Sequence, residues 1–201
     1  MTFRLGRFFP LALIIVFIFS ASRIIGIYAD WLFFKDVAYE GVFTTVLSAD
    51  LLTGLAFGIF FFLFLTGNIL IVSTVKVPVV DIMFMGQIRV PLDTNRLGVL
   101  FKIFGLSFAA FSGTMCTLWG SGLWANTLVF INSINAGRID PIFGKDLSFY
   151  LFSLPFYQII NGYAGFLLLI TILIVAAGYA TKGGFLLVGK KISFAKRAKQ
   201  H

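Results

Sequence analysis

Charged residues are scarce in this chain. They make up 12% of its 201 residues, against about 25% in an average soluble domain. A fold with so little charge has too little polar surface to face water all round. A chain of this size also cannot hide every apolar helix inside a soluble core. Cysteine is nearly absent as well. Cys116 stands alone, so neither an internal disulfide nor a cysteine-based metal site can form. Its place in an apolar stretch reads as a small buried hydrophobe. The only histidine is His201, the last residue. Chemistry that needs several histidine ligands, or a histidine beside a carboxylate, has no material. No phosphate-cradling glycine loop, nucleophile elbow or HExxH helix is present. No catalytic, cofactor-binding or metal-binding residue is assigned, and no cofactor is expected. An enzyme acting on lipid or envelope substrates would need residues this chain lacks.

What is abundant is apolar surface, 59% of residues, with 26 phenylalanines. A membrane-crossing helix takes about 20 mostly apolar residues. Four segments meet that length: about 8–28, 51–75, 97–118 and 158–181. The expected fold is all-α, a bundle of four transmembrane helices with interfacial helices in the outer connections. Residues 1–201 form one membrane domain, and 182–201 form a basic cytoplasmic tail. The first segment also has the look of a signal peptide. Arg4 and Arg7 precede Leu11 to Phe19, and Ser20-Ala21-Ser22 offers a cleavage site. Apolar sequence resumes at Ile24 and runs to Tyr28, which favours an uncleaved span.

The net charge of +8 does not point to nucleic acid. The basic residues stand at the ends of apolar runs and set orientation. Twelve of the sixteen basic residues fall before the first span, around the second connection or after the fourth span. The outer connections hold only Lys35, Arg138 and Lys145, and Arg23 is expected near the outer end of the first helix, snorkelling outward. Both termini are therefore expected on the cytoplasmic side of the membrane. The partners implied are the lipid bilayer and other membrane subunits.

The outer connections are not ordinary loops. Asp30 to Asp50 is rich in aromatics suited to the headgroup layer, among them Trp31, Phe33, Phe34, Tyr39 and Phe43. A short interfacial helix or a re-entrant elbow is expected there. In the second outer connection, Leu123, Thr127, Phe130, Ile131 and Ile134 fall near helical spacing. Gly137 is expected to stop that helix, Asp140-Pro141 to make a turn, and Asp146 to cap a new helix. Pro155 should kink or end that helix before the fourth span. Between the second and third spans, KVPVVDIMFMGQIRVPLDTNR suits a short hairpin or an irregular loop. The tail FLLVGKKISFAKRAKQH can lie on an anionic leaflet, act as a stop signal, or lead into another membrane segment.

Two small-residue pairs, Gly54 with Gly58 and Ala109 with Gly113, let helices approach closely. Packing within the chain is preferred over dimerisation. Asp140 and Asp146, with Asp30 or Glu40, offer oxygens for a hard cation such as Ca²⁺. Capping and turn formation account for them better, because the spacing matches no ligand loop. The span cores hold almost no charge, and Asn68 and Asn161 are polar but neutral. A proton-coupled transporter built from these helices alone is therefore disfavoured.

Two stretches carry a family resemblance: Asp30 to Phe43, DWLFFKDVAYEGVF, and Trp124 to Tyr157, WANTLVFINSINAGRIDPIFGKDLSFYLFSLPFY. They resemble uncharacterised protein family 0182, large multi-pass proteins of the bacterial plasma membrane. The resemblance implies about seven spans near the N-terminus followed by a large extracytoplasmic domain, with this chain as the front portion. It assigns no catalytic or binding residue. The motif residues it marks, Asp30, Trp31, Asp140, Pro141, Gly144, Asp146 and Pro155, read as structural. The leading reading is a membrane scaffold or anchor module. The alternative is part of a transporter or channel whose pathway needs further helices.

Overall fold

A backbone in apolar surroundings must satisfy its own hydrogen bonds, which favours unbroken helix wherever proline and glycine do not interrupt. A computed structural model describes residues 9–74, 82–84, 88–90, 94–181, 185–188 and 191–194; side-chain surroundings are described for 21–74, 96 and 98–180. The long helices are α1 (Phe9–Asp36), α2 (Glu40–Thr74), α3 (Thr94–Ser121) and α5 (Leu154–Thr181), with the short α4 (Trp124–Ile131) between the last two. Two small antiparallel hairpins complete the described structure. Strand β1 (Ile82–Phe84) pairs with β2 (Ile88–Val90) in the second connection. Strand β3 (Phe185–Val188) pairs with β4 (Lys191–Phe194) in the tail.

Three helical stretches among the described residues are long and apolar enough to cross a membrane: Glu40–Thr74, Gly98–Ser121 and Phe149–Ala180. The expected first span forms α1, whose side chains up to Ser20 lie outside those described.

The chain divides into two compact units, Met1–Ser48 and Ala49–His201. In the first, the expected interfacial helix or elbow over 30–50 does not form. Instead α1 continues to Asp36 and α2 starts at Glu40. Asp30–Asp50 has one glycine, Gly41, and no proline, so little stops a helix there. Thr44 and Thr45 turn their hydroxyls back to the Gly41 carbonyl, at 3.0 and 2.8 Å. Arg23 consequently lies mid-helix, with about 20 Å of helix beyond it at 1.5 Å per residue. The break is a Schellman turn. Tyr39 donates its N–H to the Phe34 carbonyl and Ala38 donates to Lys35, at 2.8 and 3.1 Å. Ala38 holds the left-handed position at φ 59°, where glycine is usual.

In the second unit, α2 presents one buried stripe. Phe57, Phe61, Leu65 and Ile69 recur every fourth residue and pack with Ala109 and Cys116 of α3 and with Tyr163 and Leu167 of α5. The glycine pairs work inside the chain. A side chain at Gly58 would overlap the Thr117 hydroxyl and meet the Gly113 carbonyl, and one at Gly54 would meet the Thr117 carbonyl. At the other end of the bundle, Gly178 leaves room for Phe101 and Val72. Close backbone approach is what small residues supply where no hydrophobic force separates helix from lipid.

Candidate functional site

The residues marked in the second outer stretch converge on one loop, which joins α4 to the last long helix. Helix α4 ends at Ile131, where Asn132 donates both its backbone and its side-chain N–H to the Leu128 carbonyl, at 2.9 and 2.8 Å. The helix therefore stops six residues before Gly137, the expected stop. Asn132 has filled that role, and Gly137 serves a later bend at φ 72°. Phe130 fastens α4 to α5 by stacking on Phe156, ring centroids 4.3 Å apart.

Two carboxylates then organise the chain. Asp146 Oδ1 accepts N–H bonds from Ala136 (2.9 Å) and Ser148 (2.8 Å), and its Oδ2 accepts one from Gly137 (3.0 Å). The bond to Ser148, two residues on, has the geometry of a helix N-cap. The bonds to 136 and 137 tie the far end of the loop to the same carboxylate. Ile139 bridges Asp146 in antiparallel fashion, and Leu147 donates to the Arg138 carbonyl at 2.8 Å. The hydroxyl and backbone of Ser148, with the Ala136 amide, hold the Asp146 carboxyl down at about 2. A carboxylate that accepts several donors is stabilised in its charged form.

Asp140 builds the tip. Its Oδ1 accepts from Ile142 N–H (3.1 Å), and its Oδ2 accepts from Phe143 N–H (3.2 Å) and from the Tyr150 hydroxyl (2.7 Å). The Tyr150 hydroxyl, then the Ile142 amide, pull its carboxyl below the usual carboxylate range. Gly144 closes the turn at φ 64° and donates to the Asp140 carbonyl at 2.9 Å. Only glycine takes that conformation without strain. Pro141 sits exposed within the turn.

Pro155 is the second residue of α5 and does not end the helix. A π-helical segment, Phe149–Ser153, precedes it, with Leu154 N–H bonded five residues back to Phe149. Proline removes one helical N–H, and the widened turn absorbs that loss while the span continues from Phe149. Asp30 and Trp31 belong to the other compact unit. Both lie in the last two turns of α1, where Trp31 has Tyr28 at 5.8 Å and the Lys35 ammonium at 5.0 Å from its ring.

Among the described residues no three histidine, cysteine or carboxylate side chains gather as a metal site. The oxygens of Asp140 and Asp146 are turned to the chain's own donors. Sequence reasoning missed a second polar contact, in the bundle core. Tyr163 donates its hydroxyl to the Phe57 carbonyl at 2.6 Å and stacks on Trp119 at 6.1 Å. The signal was a tyrosine within an apolar run, since a buried phenol finds a partner. Apolar grooves of about 440 and 540 Å³ lie on either side of Tyr163.

The fold is that of a helical protein with three helices suited to a membrane. The particular family follows from comparison: the Uncharacterised protein family (UPF0182) matches residues 8–201, and the chain belongs to it. The chain is 35% identical over 180 residues to a UPF0182 protein of Geotalea uraniireducens (strain Rf4), covering 90% of this chain and 20% of that protein. It is 32% identical over 194 residues to UPF0182 protein GM21_2279 of Geobacter sp. (strain M21), covering 96% and 22%. A UPF0182 protein of Mycobacterium marinum (strain ATCC BAA-535 / M) is 28% identical over 92% of this chain and 18% of its own length. The chain spans about a fifth of the length of these relatives. No solved structure matches.

Proposed function

We propose that this chain is a membrane scaffold module with four spans and both termini on the cytoplasmic face of a bacterial plasma membrane. Its outer elements would support an extracytoplasmic domain or a partner subunit. The observation that carries the reading is the contrast between long charge-free stretches in α2, α3 and α5 and a braced outer loop. Residues 51–74, 103–121 and 149–181 contain no Asp, Glu, Lys or Arg. Such helices offer acyl chains and one another apolar surface, whereas charge inside a span marks an ion or proton path. The loop from Asn132 to Ser148 spends two carboxylates on fixing its own backbone. That suits a support better than a reacting centre. The asymmetry of basic residues supports the orientation.

Two experiments test this. In intact cells a membrane-impermeant maleimide should label Lys145→Cys and leave Lys199→Cys unlabelled until the membrane is opened. The reverse pattern would sink the topology. Co-purification with a stable partner should be lost in Asp146→Asn or in variants at Trp31. Recovery of the chain as an isolated monomer in mild detergent would count against the scaffold role.

A further inference from the structure

The tip of the loop carries side chains that suit neither water nor a helix core. Ile142 and Phe143 are 81% and 74% exposed, and Ile139 beside them is 72% exposed. A turn at the surface of a soluble domain is ordinarily built from polar residues. Here the turn residues that the chain uses for geometry, Asp140 and Gly144, bracket an apolar pair.

Three observations place this tip against lipid. The first is depth. The Asp140 carboxylate accepts a hydrogen bond from Tyr150 at 2.7 Å, and Tyr150 is the second residue of the span that starts at Phe149. The turn is thus pinned beside the first turn of a membrane helix and cannot stand far above it. Tyrosine itself favours that boundary. The second is the state of the backbone. The N–H groups of Ile142, Phe143 and Gly144 are all bonded to Asp140, so the tip brings no unsatisfied donor into a water-poor layer. The third is charge. Arg138 and Lys145 flank the tip and are exposed, and the Lys145 ammonium lies 5.7 Å from the Phe149 ring. The two acids of the loop have their oxygens turned to protein donors, which leaves the cations to face outward.

We infer that the Asp140–Gly144 turn is a lipid-binding anchor: Ile142 and Phe143 seat at the boundary of headgroups and acyl chains, and Arg138 and Lys145 engage the phosphates of anionic lipid. Apolar side chains with adjacent basic groups are the combination that holds a segment in the interface plane. The inference rests on the proposed membrane crossing only through the last helix, and its test separates the two.

The experiment uses the full chain in nanodiscs of phosphatidylcholine with phosphatidylglycerol, and in phosphatidylcholine alone. A nitroxide is attached at Phe143→Cys, at Ile142→Cys as a second variant, and at Leu168→Cys within the span. The unsubstituted chain controls for labelling of buried Cys116. Accessibility to oxygen is compared with accessibility to a water-soluble nickel chelate. A mid-bilayer reading at 168 with a several-fold higher oxygen-to-nickel ratio at 142 and 143 than at the exposed control Asn135→Cys supports the anchor. The ratio should fall without phosphatidylglycerol and in Arg138→Gln/Lys145→Gln. A mid-bilayer reading at 168 with water-like values at 142 and 143 overturns it. So does a label shielded from both reagents, which would mean that protein covers the tip. A depth that ignores anionic lipid removes the phosphate contact. A water-like reading at 168 defeats the membrane crossing itself.

Discussion

The helix bundle and the loop beside it solve opposite problems with opposite materials. Where α2, α3 and α5 meet, nearly everything is apolar, and shape does the selecting. Gly54, Gly58 and Gly113 let two helices touch backbone to backbone, and Phe57, Phe61 and Tyr163 fill what remains. The loop from Asn132 to Ser148 has little to bury. It is held instead by polar bonds, most of them to the carboxylates of Asp140 and Asp146 from main-chain and hydroxyl donors and the rest between backbone groups. The lesson is that hydrophobicity makes three of these helices apolar enough to cross a membrane but fixes none of their internal geometry. Small residues fix the geometry in one region and carboxylates fix it in the other.

The sharpest way to break the bundle is therefore a change of volume with no change of polarity. Gly58→Leu should destabilise it by roughly 3 kcal/mol, the upper part of the range for overpacking, because Thr117 and the Gly113 backbone occupy the space. Unfolding in a mixed detergent series would read this. The comparison would fail if Gly58→Leu unfolded with the same midpoint as the natural chain. A second, smaller loss is expected from Tyr163→Phe. It removes the hydroxyl bond from Tyr163 of α5 to the Phe57 carbonyl of α2, at 2.6 Å, and leaves the ring stack on Trp119 in place. Interhelical bonds of this kind contribute about 1 kcal/mol in bilayers. An unchanged midpoint would show that the Phe57 carbonyl bond contributes nothing beyond its place in the helix.

These two sites also show what could be read in advance. The helices themselves were legible, because four long apolar runs have few other solutions. Their faces were not. In α2 exposed Leu63 and buried Leu65 are the same residue type, so periodicity carries no contrast, and only Gly54 and Gly58 marked the inner side. The boundaries at Asp30–Asp50 were misplaced for a related reason. Aromatics there suggested the headgroup layer and a separate short element, yet nothing in the backbone chemistry required one, and a single left-handed Ala38 makes the turn. In the loop the signals were local and stronger. Asp140-Pro141 and Asp146 stood out because short polar side chains compete for nearby backbone groups. What sequence could not supply was reach: that Asp146 binds residues 136 and 137 as well as Ser148, and that Asp140 takes the Tyr150 hydroxyl.

The loop should respond to charge where the bundle responds to volume. Asp146→Asn keeps the size of the side chain and converts one acceptor oxygen to an amide donor. Hydrogen exchange at Ala136, Gly137 and Ser148 should rise several-fold, while amides in the buried stripe of α2 stay protected. Exchange that rises equally in both regions would mean that the loop and the bundle open as one unit, and the contrast drawn between them would be lost.

The gentlest test uses protons in place of mutation. The Asp146 carboxyl is lowered to about 2, from an ordinary aspartate value near 3.9. A group depressed in the folded state contributes stability that is fully present above its unfolded value and is lost as pH falls through its folded value. The loop should accordingly be intact above about pH 4 and should loosen as pH falls from there toward 2. Carboxyl NMR of aspartate-labelled chain in nanodiscs can follow the titration directly. Ser148→Ala removes the hydroxyl that contributes most to the depression, so the Asp146 titration should move upward in that variant while its backbone bonds to Ala136 and Gly137 persist. A titration already near the ordinary value in the natural chain would mean that the carboxylate does not hold both ends of the loop in solution. The same titration leaves the 51–74, 103–121 and 149–181 segments untouched, since they contain no acid to protonate.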